Sequence, residues 1–233
     1  MNRIVGYLLA LVVLVGIAYA IYAFMPRTPQ LPAVTTPPTS TSSETGTEIK
    51  VETIYDDAVA YRIEARYPQF GIAAVDEKIK AVVDKTVAAF KEYPANPPNS
   101  SVSQNELTIS FDSVYVGPDV VSAELLISEY TGGAHGNSII IGVNVERATG
   151  EEISLDDALV LIGKTLPQVA RASLIELKTT LGENIIFPEG ADPKTENYGT
   201  FLVSKERVTF IFNNYQVAPY AAGHQEVWFK RVK

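Results

Sequence analysis

Tyr130-Thr131-Gly132-Gly133-Ala134-His135-Gly136-Asn137 separates two runs that read as strands, residues 120–129 and 138–145. Three glycines within five residues permit backbone angles that other residues avoid. They set His135, one of two histidines in the chain, into a turn with Asn137 two residues later. So small a segment between β-rich runs is either a tight connection or the floor of a site. Upstream, Leu107, Ile109, Phe111, Ser113 and Tyr115 alternate onto one strand face. Gly117-Pro118-Asp119 then turns that strand into residues 120–129, which reads as a hairpin. Residues 138–147 supply a third strand.

Outward from these strands the periodicity changes. Residues 58–67 alternate as a strand with Val59, Tyr61 and Ile63 on one face, ended by Tyr67-Pro68-Gln69-Phe70-Gly71. Ile72, Val75, Ile79, Val82, Val83, Val87 and Phe90 then recur at helical spacing through Lys91, with Asp76, Lys78, Lys80, Asp84 and Lys85 opposite. Pro94, Pro97 and Pro98 stop this helix.

Downstream, Ala148-Thr149-Gly150 turns the chain and Ser154-x-x-Asp157 opens a short helical turn. Thr165-x-x-Gln168 is a capping box with Pro167 in the first turn, and the helix it starts runs to Leu181, closed by Gly182. Residues 185–199 read as a loop, residues 201–204 and 207–212 as short strands, and residues 226–231 as a last strand. Val227 and Phe229 share one face of that strand, with Trp228 on the other. The order predicts an α+β fold: an antiparallel sheet with two main helices, in a domain spanning residues 49–233.

Residues 4–25 form an almost unbroken apolar run, long enough to span a bilayer as a helix. Arg3 and the amino terminus precede it, and the positive-inside bias puts that end in the cytoplasm and the domain outside. Ala18-Tyr19-Ala20 offers the alternative of a cleaved signal peptide, although Ile21 to Met25 continue the apolar run. Residues 26–48 are rich in Pro, Thr and Ser and predict a disordered stalk. The formal net charge of −8 and the lack of a basic stripe argue against nucleic acid as a partner. With no cysteine, there is no disulfide, thiolate metal site or lipid-anchored cysteine, so the fold rests on its apolar core.

Three motifs carry a resemblance. They are Tyr130-x-Gly132-Gly133-Ala134-His135-x-Asn137, Thr149-Gly150-x-x-Ile153-x-Leu155-x-Asp157, and Phe210-x-Phe212-x-x-Tyr215-x-Val217-Ala218-Pro219-Tyr220-Ala221-Ala222-Gly223. Together they resemble the exported domain of unknown function in the outer part of the lysozyme-sensing anti-sigma factors. Tyr67-Pro68 with the helix from Ile72 is similar to the amino-terminal half of that domain, which also precedes the catalytic domain of a peptidoglycan deacetylase. The resemblance covers residues 49–232 and implies an α+β fold, an exported location and a binding role near the cell wall. With only Met1 to Arg3 expected in the cytoplasm and no deacetylase domain after Lys233, the expectation is a bare domain on a stalk.

The candidate binding residues are Tyr130, Gly132, Gly133, His135 and Asn137 in the first loop, and Tyr215, Tyr220 and His224 in the second. Flexible glycines beside aromatics suit an adaptable recognition surface for a wall polymer or a lysozyme-like protein. The alternatives are a wall or metal-dependent hydrolase using His135 and His224, and a purely structural envelope protein. No H-E-x-x-H, G-x-S-x-G or P-loop pattern is present, so no catalytic residue, metal or cofactor is expected. Glu151-Glu152 and Asp156-Asp157 read as helix-start acids.

Overall fold

The hairpin and third strand predicted on either side of the glycine turn are the middle and one edge of the larger of two sheets. The structure, a computed structural model, describes residues 41–43, 48–97, 100, 102, 104–185 and 187–232. The expected membrane span at residues 4–25, the Ala18-Tyr19-Ala20 site and most of the expected stalk lie outside the described residues. In chain order the elements are β1 (Thr41–Ser43), β2 (Lys50–Asp57), β3 (Tyr61–Gln69), α1 (Ala73–Lys91), β4 (Asn105–Val116), β5 (Val120–Tyr130) and β6 (Asn137–Glu146). There follow α2 (Leu155–Ile162), α3 (Leu166–Leu181), β7 (Phe201–Val203), β8 (Arg207–Phe212) and β9 (Gln225–Lys230).

The fold is α+β, with four corrections of detail. The strands form two sheets, β2-β3-β4-β5-β6 and β7-β8-β9. The larger is mixed, because β3 runs parallel to β4 from Tyr61↔Asn105 to Ala65↔Ile109. Parallel neighbours need a long crossover, and α1 supplies it. The helical turn expected at Ser154 is an eight-residue helix, α2, capped where Asp157 N–H donates to Ser154 Oγ and Ser154 N–H to Asp157 Oδ2. Val59 is not on a buried strand face; it is 94% exposed in the turn before β3. Finally, β1 lies within the predicted disordered stalk yet pairs in parallel with Val114–Val116 of β4.

Each sheet buries one face against helices. Val75, Ile79, Val83 and Phe90 of α1 pack on a core that includes Ile63, Leu107, Leu125 and Ile127 of the larger sheet. Ala158, Ile162, Val169 and Leu177 of α2 and α3 pack with Val208, Phe210, Val227 and Phe229 of the smaller one. Full burial of each such side chain stabilises by about 1.5–3 kcal/mol. Phe210 is the hub, with Tyr198, Phe201 and Phe229 ring centroids 5.4, 6.0 and 5.9 Å away.

A buried polar seam joins the two sheets. Asn144 on β6 accepts from Val203 N–H (2.8 Å) and Ser122 Oγ (2.7 Å), and donates through Nδ2 to the Phe201 carbonyl (2.7 Å). All members are buried, so each bond avoids the cost of an unpaired group. Gly142 permits this approach, since a Cβ there would overlap the Phe201 carbonyl oxygen.

Candidate binding site

The seam brings the two predicted loops together. Tyr130 ends β5 and Asn137 begins β6, opposite Glu129, so both are strand ends and the turn proper is residues 131–136. Gly132 and Gly133 have φ of +100° and +104°, which L side chains rarely adopt. Tyr130 Oη donates to the Gly133 carbonyl at 2.9 Å and closes the turn.

His135 projects from this turn. Its Nδ1 lies 2.7 Å from the Gly136 carbonyl, which can only accept, so Nδ1 carries the proton. In the neutral ring that leaves Nε2 as an acceptor, 3.5 Å from Tyr215 Oη. The His135 ring also stacks on Tyr220 at 4.5 Å between centroids and 24° between planes, and Tyr215 and Tyr220 lie 5.5 Å apart. The three rings form one cluster on the surface, with Tyr215 49% exposed.

The neighbours of Tyr215 have structural work. Asn213 Oδ1 accepts from Ile140 N–H (2.6 Å) and its Nδ2 donates to the Ile140 carbonyl (3.2 Å). Asn214 Nδ2 donates to the Ser138 carbonyl at 3.1 Å. These amides occupy the outer edge of β6, which would otherwise offer unpaired backbone groups. Gln216 Nε2 donates to the Gly190 and Asn197 carbonyls at 3.0 and 2.9 Å. Tyr215 is left half exposed at φ +65°, the one left-handed non-glycine among the described residues. A bulky residue there is strained by about 1–2 kcal/mol, and such strain clusters at functional sites.

The structure does not bring the two histidines into contact. His224 instead meets Glu226: its Nε2 lies 3.6 Å from Glu226 Oε1. That contact, chiefly, holds His224 above its ordinary value and Glu226 below the usual carboxylate range. Glu226 borders a cleft of about 160 Å³ between the sheets, also lined by Glu124, Ser113, Arg207 and Thr209. Glu124 is 6% exposed, and burial first, then Asp112 and Glu226, push its carboxyl up. Sequence reasoning passed over Glu124. The signal was a lone acid inside the otherwise small and apolar run Val120-Val121-Ser122-Ala123-Glu124-Leu125-Leu126-Ile127. Among the described residues no group of three or more His, Asp or Glu side chains is arranged to hold a metal ion.

Fold and surface together define an α+β module with two sheets and an exposed aromatic cluster on paired loops. Known proteins place that description more narrowly. Residues 162–231 match the family model "Protein of unknown function (DUF3298)", and residues 54–138 match "Deacetylase PdaC". The resemblance read from the motifs is thus found at both ends of the domain. The peptidoglycan-N-acetylmuramic acid deacetylase PdaC of Bacillus subtilis (strain 168) is 25% identical over 195 residues, covering 82% of this chain. The match spans 42% of that relative's length. A crystal structure of a DUF3298 family protein from Pseudomonas aeruginosa PAO1 has the same fold, with a TM-score of 0.51, 16% identity and coverage of 79% of this chain and 89% of that one. A DUF3298 family member from Bacteroides fragilis NCTC 9343 aligns with a TM-score of 0.49 and 18% identity over 79% of this chain and 91% of its own.

Proposed function

We propose that this chain is an extracytoplasmic binding module of the cell envelope, tethered through residues 4–25, that recognises a wall polymer through its paired loops. The observation that carries the reading is the His135–Tyr215–Tyr220 cluster, held half exposed by a strained tyrosine backbone. Aromatic faces supply large, rigid contact area with a polar edge, which suits the faces and hydroxyls of sugar rings. The similarity of residues 54–138 to the deacetylase family model, and of most of the chain to a peptidoglycan deacetylase, supports a wall setting. A second reading, a wall-active basic protein such as lysozyme as the partner, is favoured by the net charge of −8.

Binding of the full chain to purified peptidoglycan and to lysozyme, at low and high salt, separates these readings. Wall binding should change little with salt, whereas attraction to a basic protein should weaken. Tyr220→Ala and His135→Ala should each weaken binding tenfold or more, because buried aromatic anchors dominate such interfaces. Folded variants, verified by circular dichroism, that bind as well as the parent would place the surface elsewhere. Binding to neither partner would contradict the proposal.

A further inference from the structure

A second recognition site lies at the cleft between the sheets. Opposite Glu124, β4 carries a bulge: Phe111 pairs with Leu125 and Val114 with Ala123, so Asp112 and Ser113 together face one residue. Bulges re-aim side chains and are enriched beside functional sites. This one brings the Asp112 carboxylate and the Ser113 hydroxyl to bear on Glu124. From the other sheet, Glu226 joins Glu124 in lining a cleft of about 160 Å³, and Asp112 acts on Glu124 from β4. The half-exposed His224 acts on Glu124 against the pull of the acids, and Arg207, which also lines the cleft, acts on Glu226. A carboxyl nine-tenths buried, with two further acids beside it, is costly to ionise unless a cation arrives.

Trp228 supplies the other half of a recognition surface. It is 60% exposed on β9, two residues from Glu226 and so on the same strand face, roughly 7 Å along the strand. Glu226 lines both the cleft and a second hollow, of about 310 Å³, lined also by Trp228, Ala172 and Glu176. An exposed indole beside a carboxylate-lined cleft suits a ring that lays its C–H face on the indole and carries a positive charge.

We propose that this cleft binds an ammonium-bearing pyranose, a hexosamine without its acetyl group, with the ammonium toward Glu124 and Glu226 and the ring on Trp228. The site is separate from the loop cluster and stands or falls independently of the wall reading above.

Trp228 is the chain's single tryptophan, so its fluorescence reports on this site alone. The probes for the detergent-solubilised full chain are a β-1,4-linked glucosamine oligosaccharide, its fully N-acetylated counterpart, and a short lysine oligomer. The glucosamine oligosaccharide should shift Trp228 emission saturably, at least tenfold more tightly than either other probe. Glu124→Gln and Glu226→Gln should each weaken that response tenfold or more. Glu226 is half exposed, so its variant keeps the test sound if Glu124→Gln perturbs the fold.

Glu124→Gln carries a second readout. A carboxyl raised in the folded state keeps its proton after the unfolded chain has lost it, so it costs stability as pH rises above the unfolded value. The variant should therefore melt a few degrees above the parent at neutral pH and with it in acid, while binding less. An equal response to the N-acetylated sugar or to the lysine oligomer would overturn the proposal, as would no response, or a response unaffected by both glutamine substitutions.

Discussion

Replacing Gly142 with valine is expected to pull the two sheets apart. The new Cβ would occupy the position of the Phe201 carbonyl oxygen, a backbone atom that cannot rotate away. Overpacking of this kind costs about 1–3 kcal/mol. The displaced β7 would also lose its bonds to Asn144, leaving the Val203 N–H and Phe201 carbonyl buried and unpaired. Each such orphan costs about 1–3 kcal/mol more. The total, roughly 3–9 kcal/mol, is a large part of the stability of an ordinary domain. Asn144→Val should reproduce most of the loss without any steric clash, which separates the hydrogen bonds from the overlap. Urea unfolding of the three proteins measures both terms. A midpoint for either variant within error of the parent would show that the sheets are held by their apolar cores alone.

Phe210→Ala should be nearly as damaging, for a different reason. Its ring is 1% exposed and meets Tyr198, Phe201 and Phe229 edge-on or tilted. Truncation of a buried phenylalanine costs about 3–5 kcal/mol through lost transfer energy and the cavity left behind. At about 2–4 °C per kcal/mol for a chain of this size, the melting temperature should fall by roughly 6–20 °C. Phe210→Leu should lose much less, because the hole is smaller. Because β8 leads directly into Asn213 and Asn214, which clip the second loop to β6, ligand binding should fail over the same temperature range as the core. Loop binding that outlasts the melting of this core would separate the site from the fold that presents it.

How much of this was legible in the sequence depends on which residues bury a periodic face. Helix α1 and strand β4 could be read because their apolar residues repeat at 3.6 or 2, and β5 and β6 because apolar runs flank clear turn residues. Strand β2 could not: Lys50-Val51-Glu52-Thr53-Ile54-Tyr55-Asp56-Asp57 lies at a sheet edge with most of its side chains exposed, so nothing enforces alternation. The parallel pairing of β3 with β4 is a property of the crossover, not of either strand alone. For the site, the glycines and aromatics of both loops stood out, and the structure does bring His135, Tyr215 and Tyr220 together. The separation of His224 from His135 was hidden, because it follows from the path of the chain through the turn at Tyr220–Ala222 into β9. The cleft was hidden too, because a bulge in the other sheet from Glu226 has no signature in local composition.

Tyr215 offers the most direct test of the central claim that the loop cluster is a binding surface. Its left-handed backbone suits glycine better than tyrosine. Tyr215→Gly relieves strain of about 1–2 kcal/mol but gives back about 0.5–1 kcal/mol in unfolded-chain entropy. A tyrosine kept there for packing alone would be lost at a cost in stability; one kept for recognition would not. The decisive measurement is therefore paired: the melting temperature of the Tyr215→Gly chain and its affinity for purified peptidoglycan. The expected result is a melting temperature equal to or above the parent's, with affinity at least tenfold weaker. Unchanged affinity, or a loss of affinity that only accompanies a clear loss of stability, would contradict it.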